Sequence, residues 1–206
     1  MTTPPPSSLW TQTLATIRDT TASSSPTPGG GSITVVGATL GLSLVLMALA
    51  ITHKKTPDDP TLNQLLDTGH TLLDRLSPHA DRDVALFTQF MDALALPRQT
   101  PAQRDTRQQA RQQALHDATQ GPLNAATDIL QALQLAQQAL PLASSHVRSD
   151  VLAGADLLYG SLHGVLRNVD INLPGLHNET LRTTWAARAQ TLRTQAEEHY
   201  TAITSP

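Results

Sequence analysis

Apolar residues recur along most of this chain at the three-and-four spacing of a helix stripe, with no convincing strand-like alternation. Trp10, Leu14 and Ile17 predict a short first helix over Ser8–Asp19, preceded by a Thr/Pro/Ser tail at 1–7 that is expected to be disordered. Ser23–Gly31 reads as a turn-rich connection, in which Gly29-Gly30-Gly31 leads to Ser32 as the expected N-cap of an apolar helix. Asp58-Asp59-Pro60 opens a further helix, with Leu62, Leu65, Leu72 and Leu76 on one stripe to about Ser77. Pro78 marks a boundary or a kink, and the next helix carries Val84, Phe87, Phe90 and Leu94 and stops before Pro97.

Gln103–Gln120 is rich in Arg and Gln and predicts a solvent-facing helix, which Gly121-Pro122 breaks or kinks before Leu123–Leu140. From Asp150 to about Asn168, glycines 154, 160 and 164 are tolerable in a helix only if another helix lies against them. A turn at Asn172–Gly175 and a last amphipathic helix over Glu179–Ile203 complete the chain. Seven or so helices with short connections predict an all-α antiparallel bundle, read as a single domain over 8–206.

The stretch Ile33–Ile51 is uncharged over 19 residues, which meets the length of a membrane span. Lys54 and Lys55 flank it, and Gly37 and Gly41 form a small-xxx-small pair. The competing reading is a helix buried in the middle of the bundle. Its small-residue content, the lack of a Trp or Tyr belt and the amphipathic helices downstream favour the latter.

Composition removes several classes. Six aromatic residues in 206 disfavour a sandwich or barrel. A formal charge of −3 with dispersed cations leaves no basic stripe for nucleic acid, and the absence of cysteine removes disulfides, thiolate metal sites and thiol nucleophiles. No signal or transit pattern precedes the bundle, so a cytoplasmic location is the expectation.

Gly29–Ser32 ahead of a helix is either an anion cradle or an ordinary glycine loop, and it lacks the residues of a P-loop or a dinucleotide fingerprint. His79, Asp81 and Asp83 can be drawn as a metal cluster, but hydrated acidic residues at a helix start explain them without a metal. Asn168 and Asn172 share a side if the helix reaches that far; C-capping is the alternative.

Four blocks in order resemble the formiminotetrahydrofolate cyclodeaminase / methenyltetrahydrofolate cyclohydrolase family. They are Pro28-Gly-Gly-Gly-Ser32 running into the apolar helix and Lys54-Lys55; Asp83-Val-Ala-Leu-Phe87 with Met91-Asp-Ala93 and Leu96-Pro-Arg98; Gly121-Pro-Leu123; and Arg148-Ser-Asp150 through Asn168-Val-Asp-Ile-Asn172. The resemblance spans about Leu9 to Ile203 and implies a helical homodimer whose apolar helix is central, with sites near the subunit contact. A membrane span is then not expected.

The implied substrate is a tetrahydrofolate derivative, with neither metal nor nucleotide. The implied reaction is conversion between 5,10-methenyl- and 10-formyl-tetrahydrofolate, or ring closure of 5-formimino-tetrahydrofolate with loss of ammonia. Cyclohydrolase is preferred, since no formiminotransferase segment accompanies the domain. By the resemblance Asp83 is the general acid/base and Arg98 a second catalytic position. Ser149, Asp150, Asn168 and Asn172 bind the pterin, Gly29, Gly30, Gly31 and Ser32 permit its close approach, and Lys54, Lys55 or Arg98 meets the glutamate tail.

Two departures stand against full activity. Arg98 replaces the family's usual Lys, which puts acid/base duty there in doubt, and Ala143–His146 replaces a Gly-Asn. A catalytically silent dimer that binds a folate-like ligand is therefore the alternative, with a single-span membrane protein as the third.

Overall fold

Side-chain caps set four of the seven α-helix starts among the described residues. The Asp59 carboxylate accepts the N–H groups of Thr61 and Leu62, with Pro60 at the first helical position. Thr100 and Gln103 form a reciprocal capping box ahead of Pro101. In this computed structural model, which describes residues 8–205, the order is α1 (Leu14–Thr21), α2 (Gly30–His53), α3 (Pro60–Leu76), α4 (Pro78–Ala95), α5 (Pro101–Ala139), α6 (Arg148–Asn172) and α7 (Glu179–Thr204). Among the described residues there is no strand, so the chain is an all-α bundle as its periodicity predicts. The tail expected at 1–7 lies outside the described residues.

The apolar α2 is the central helix. It touches α3, α4, α5 and α6, and Leu42, Val45, Ala48 and Leu49 are wholly enclosed. Its partner along its full length is α6. Gly31 lies at Asn168, Thr34 at Gly164 and Gly41 at Gly154, with Thr52 at Ser144 just ahead of α6, so the two helices run antiparallel. A Cβ on Gly41 would stand 2.8 Å from the Gly154 carbonyl oxygen, and one on Gly154 would stand 2.6 Å from that of Gly41. Backbone therefore meets backbone at this crossing, an approach that only glycine permits.

Several sequence expectations are corrected. The predicted first helix is two pieces, a 3-10 turn at Leu9–Thr11 and α1, because Ser8 and Thr13 each cap a separate start. Leu9 is its buried anchor; Leu14 is 74% exposed. Ser32 does not cap α2. That position falls to Gly29, and Ser32 lies inside the first turn. Of the break or kink expected at Gly121-Pro122, the break does not occur, for α5 continues through it as one element of 39 residues. Pro122 has no N–H to give the Ala118 carbonyl one turn back, and the Asn172 side chain supplies that donor instead at 2.9 Å. Gly154 and Gly164 do face α2, but Gly160 faces open space.

Nor is α2 enclosed on every side. Leu40 and Met47 remain 48% and 40% exposed, beside Leu157 of α6 at 42%. The glycine contrast is directly testable. Gly154→Ala forces the α2–α6 backbones apart and is expected to cost ~1–3 kcal/mol, whereas Gly160→Ala gains ~0.5–1 kcal/mol from helix propensity. Denaturation midpoints of the two variants against wild type read both.

Candidate active site

The N-terminus of α2, the first half of α4 and the C-terminal end of α6 converge on one carboxylate, that of Asp83. Its Oδ2 accepts the Ser32 hydroxyl at 2.7 Å, its Oδ1 lies 3.4 Å from the Asn168 amide, and the Ser32 backbone N–H also donates to it. Both the hydroxyl and the amide N–H of Ser32 thus serve a side chain across the bundle, which is why the serine was misread as a cap. The glycine before it makes room. A Cβ on Gly31 would fall 2.1 Å from Asp83 Oδ1 and 2.3 Å from Asn168 Nδ2, so any side chain there evicts the pair.

Burial is the largest influence on Asp83 and pushes its pKa up. The Ser32 and Asn168 hydrogen bonds oppose this but do not cancel it, and the net direction is upward from the ordinary carboxylate value. A half-buried carboxyl held up in this way is poised to gain or lose a proton.

Asp83 opens on a cleft of about 300 Å³. Gly29–Gly31 with Pro26 and Thr27 form one wall, Leu86, Phe87 and Phe90 of α4 a second, and Ala118, Asn168, Ile171 and Asn172 the remainder. That volume is at the lower end for small-molecule sites. Two rings, an exposed Ile171 and side-chain amides beside a carboxylate suit a flat ligand with an apolar body and a polar edge.

Of the residues expected at a site, the structure brings together Gly29, Gly30, Gly31, Ser32, Asp83, Asn168 and Asn172. Because α6 runs to Asn172, Asn168 and Asn172 do share a side; Asn172 donates to Ala118 and does not cap its own helix. The other expected residues stand elsewhere in the subunit. Lys54 and Lys55 close the far end of α2, ~35 Å of helix from Gly31. Ser149 and Asp150 begin α6, about 28 Å along it from Asn168. Arg98 is exposed in the loop beyond the C-terminal end of α4.

The drawn metal cluster also separates. His79 pairs with Asp128 at 3.0 Å, Asp81 takes Ser8 and the Leu9 N–H, and Asp83 takes Ser32. Phe90, Ala118 and Ile171 were missed as lining residues. Nothing local distinguishes them from other apolar helix positions; Pro122 was the one available signal for Ala118, since it frees that carbonyl.

A strand-free bundle with a buried-end carboxylate, a glycine-rich helix start and a flat-ligand cleft defines an all-helical small-molecule site protein. The chain belongs to the formiminotransferase-cyclodeaminase family, whose profile matches residues 13–191. A methenyltetrahydrofolate cyclohydrolase of Methylorubrum extorquens is 32% identical over 168 residues, covering 80% of this chain and 81% of that protein. The formimidoyltransferase-cyclodeaminase of Gallus gallus is 28% identical over 177 residues, 84% of this chain but 33% of its own length. This chain therefore spans about a third of that relative. A crystal structure of formiminotetrahydrofolate cyclodeaminase from Thermotoga maritima shares the fold with a TM-score of 0.83 at 22% identity, over 94% of each chain.

The raised Asp83 also fixes a stability signature. A carboxyl with a raised folded pKa favours folding below its unfolded value of about 3.9 and loses that contribution as pH rises through the folded pKa. Asp83→Asn lacks this term. It is expected to melt above wild type at pH 7, with the gap narrowing toward pH 4, in paired thermal scans.

Proposed function

We propose that this chain is a folate one-carbon enzyme in which Asp83 moves the proton, and that it acts as a methenyltetrahydrofolate cyclohydrolase before a cyclodeaminase. The observation that carries the reading is the Asp83–Ser32–Asn168 cluster at the mouth of a flat cleft. The cyclohydrolase preference rests on the Methylorubrum extorquens relative, most of whose length this chain matches.

In this reading the pterin lies against Phe87 and Phe90 with its polar edge toward Asn168, and the cationic methenyl carbon faces Asp83. The carboxylate stabilises that cation and removes a proton from the attacking water. As the bond from the hydrated carbon to N5 breaks, the same carboxyl returns the proton to N5, and the carbinol hydroxyl gives its own proton to the carboxylate so freed, leaving the neutral formyl group on N10 and one proton on Asp83 to be released in each turnover. The cyclodeaminase alternative uses the same group in ring closure, with the proton delivered to the departing amine. Both are proton transfers between positioned atoms, worth typically 10²–10⁴-fold.

The subunit pairs with a second copy through the exposed apolar strip of Leu40, Met47 and Leu157. A two-fold axis crossing α2 at right angles there sets the two α2 helices antiparallel. The Lys54–Lys55 end of one then lies toward the Gly29–Ser32 end of the other, which reunites the two halves of the expected site and supplies cations for a polyglutamate tail. The cytoplasm remains the proposed location.

Purified wild type is expected to accelerate loss of methenyl-tetrahydrofolate absorbance over buffer, and Asp83→Asn to lower kcat by at least ~100-fold. Turnover of neither folate, with retained binding, would support the silent-relative reading instead. Leu40→Glu with Met47→Glu is expected to give monomers by sedimentation, with a raised KM for polyglutamylated substrate; an unchanged sedimentation coefficient would dismiss this interface.

A further inference from the structure

The interior side of Asp83 carries a second set of titratable groups that the reaction above leaves unused. His79 precedes Asp83 by four residues on α4, one turn away on the same face. Its Nε2 is 3.0 Å from Oδ2 of Asp128, and the two side chains are 14% and 10% exposed. Arg75 of α3 pairs with the other oxygen of Asp128. Burial works to raise the Asp128 pKa, yet the His79 bond and the Arg75 charge outweigh it and hold the carboxyl below its usual range. Asp128 thus stays ionised and orients the ring, leaving Nδ1 as the nitrogen available on the other side.

His79 and Asp83 both line a space of about 10 Å³ whose other polar wall is Arg82, the remainder being glycine and apolar positions such as Val35, Leu86, Pro122 and Val165. That is roughly the room one water needs. On the far side, Arg75 lines an open polar groove of about 610 Å³ between α3 and α5. The order is therefore cleft, Asp83, a water-sized space, His79, Asp128, Arg75 and solvent.

We propose that His79, oriented by Asp128, exchanges the Asp83 proton with solvent on the side of α4 away from the cleft. This rests on the acid/base reading of Asp83. The need is physical, because each hydration leaves one proton on Asp83, and a flat ligand seated in the cleft displaces the water through which Asp83 would otherwise release it. The Asp83 carboxyl gives its proton to the intervening water as that water gives one to Nδ1 of His79. The resulting imidazolium is stabilised by the Asp128 carboxylate and releases its proton to solvent at the exposed edge of the ring, which is 14% exposed, leaving His79 neutral and Asp83 ionised; the reverse passage reloads Asp83. No electrons move and no co-reactant is consumed. The groups facing His79 are Asp128 from α5, Arg75 from α3 and Arg82 and Asp83 of α4 itself, while α2 and α6 present only Gly31, Val35 and Val165 to the shared space.

A purely architectural role, tying α3, α4 and α5, would move stability alone. His79→Gln separates the two, since its amide can still donate to Asp128 but cannot carry a proton onward. The carboxyl carbon of Asp83 is titrated by carbon-13 NMR in the ligand-free wild type and in the variant, and the pH profile of methenyl-tetrahydrofolate hydrolysis is measured on both. Expected are a displaced Asp83 midpoint, a kcat lowered about tenfold at unchanged KM, and loss of one limb of the kcat profile. Asp128→Asn should alter the same limb. An Asp83 titration and a kcat profile that are unmoved in His79→Gln, with only the melting temperature changed, would overturn the proposal. If wild type turns over neither folate, the enzymatic reading falls by itself, and the NMR titration still decides whether His79 and Asp83 share a proton.

Discussion

Everything in this molecule follows from how closely α2 and α6 approach. At Gly41 and Gly154 the two backbones touch with no side chain between them, and the antiparallel register set there carries along both helices. Ten residues toward the start of α2 the same register delivers Gly31 against Asn168, with Asp83 of α4 lodged between them. A site made of a backbone, a carboxylate and an amide is only as well defined as the helix crossing that holds it. Small residues at the crossing keep the helices within the short range over which dispersion is effective, and they leave no slack by which the cluster could loosen.

The site is in electrostatic tension. Desolvation favours the neutral form of Asp83, whereas the start of α2, the Ser32 hydroxyl and the Asn168 amide favour the charged one. Desolvation outweighs the hydrogen bonds and holds the carboxyl above its ordinary range, which suits a group that must be a base in one step and an acid in the next. Asp128 of α5 is shifted the other way because a cation and an imidazole face it. Two carboxylates at one end of a bundle thus have their pKa values moved in opposite directions by their surroundings alone.

The long helix α5 shows how a locally unfavourable residue becomes structural. Pro122 leaves the Ala118 carbonyl without its intrahelical partner, and the Asn172 amide fills the place. That bond fastens the last turn of α6 at the cleft wall. The cost of a proline inside a helix is offset by a cross-helix tie that an unbroken hydrogen-bond ladder would not have allowed.

Periodicity and caps were enough to read an all-helical bundle, because a helix stripe is a local property; an uncharged stretch this long must be covered by protein or by lipid, and the family resemblance put α2 at the centre. Asp83, Asn168 and the glycines were legible as site candidates through their resemblance to a family. Their meeting was not, since Ser32, Asp83 and Asn168 are 51 and 85 residues apart in their hydrogen-bonded pairs and nothing local encodes the α2–α6 register. The same reason explains the misreadings. Ser32 has the sequence signature of a cap, but tertiary packing turned both its donors toward Asp83. Lys54, Ser149 and Arg98 belong to motifs near the site in sequence order, yet the rise of each helix carries them to other parts of the subunit. Asp128 gave no sign of itself at all, because its partners Arg75 and His79 are supplied by two other helices. Sequence alone determined which faces must be buried; the tertiary structure decided which buried faces meet, and therefore which polar groups find each other out of water.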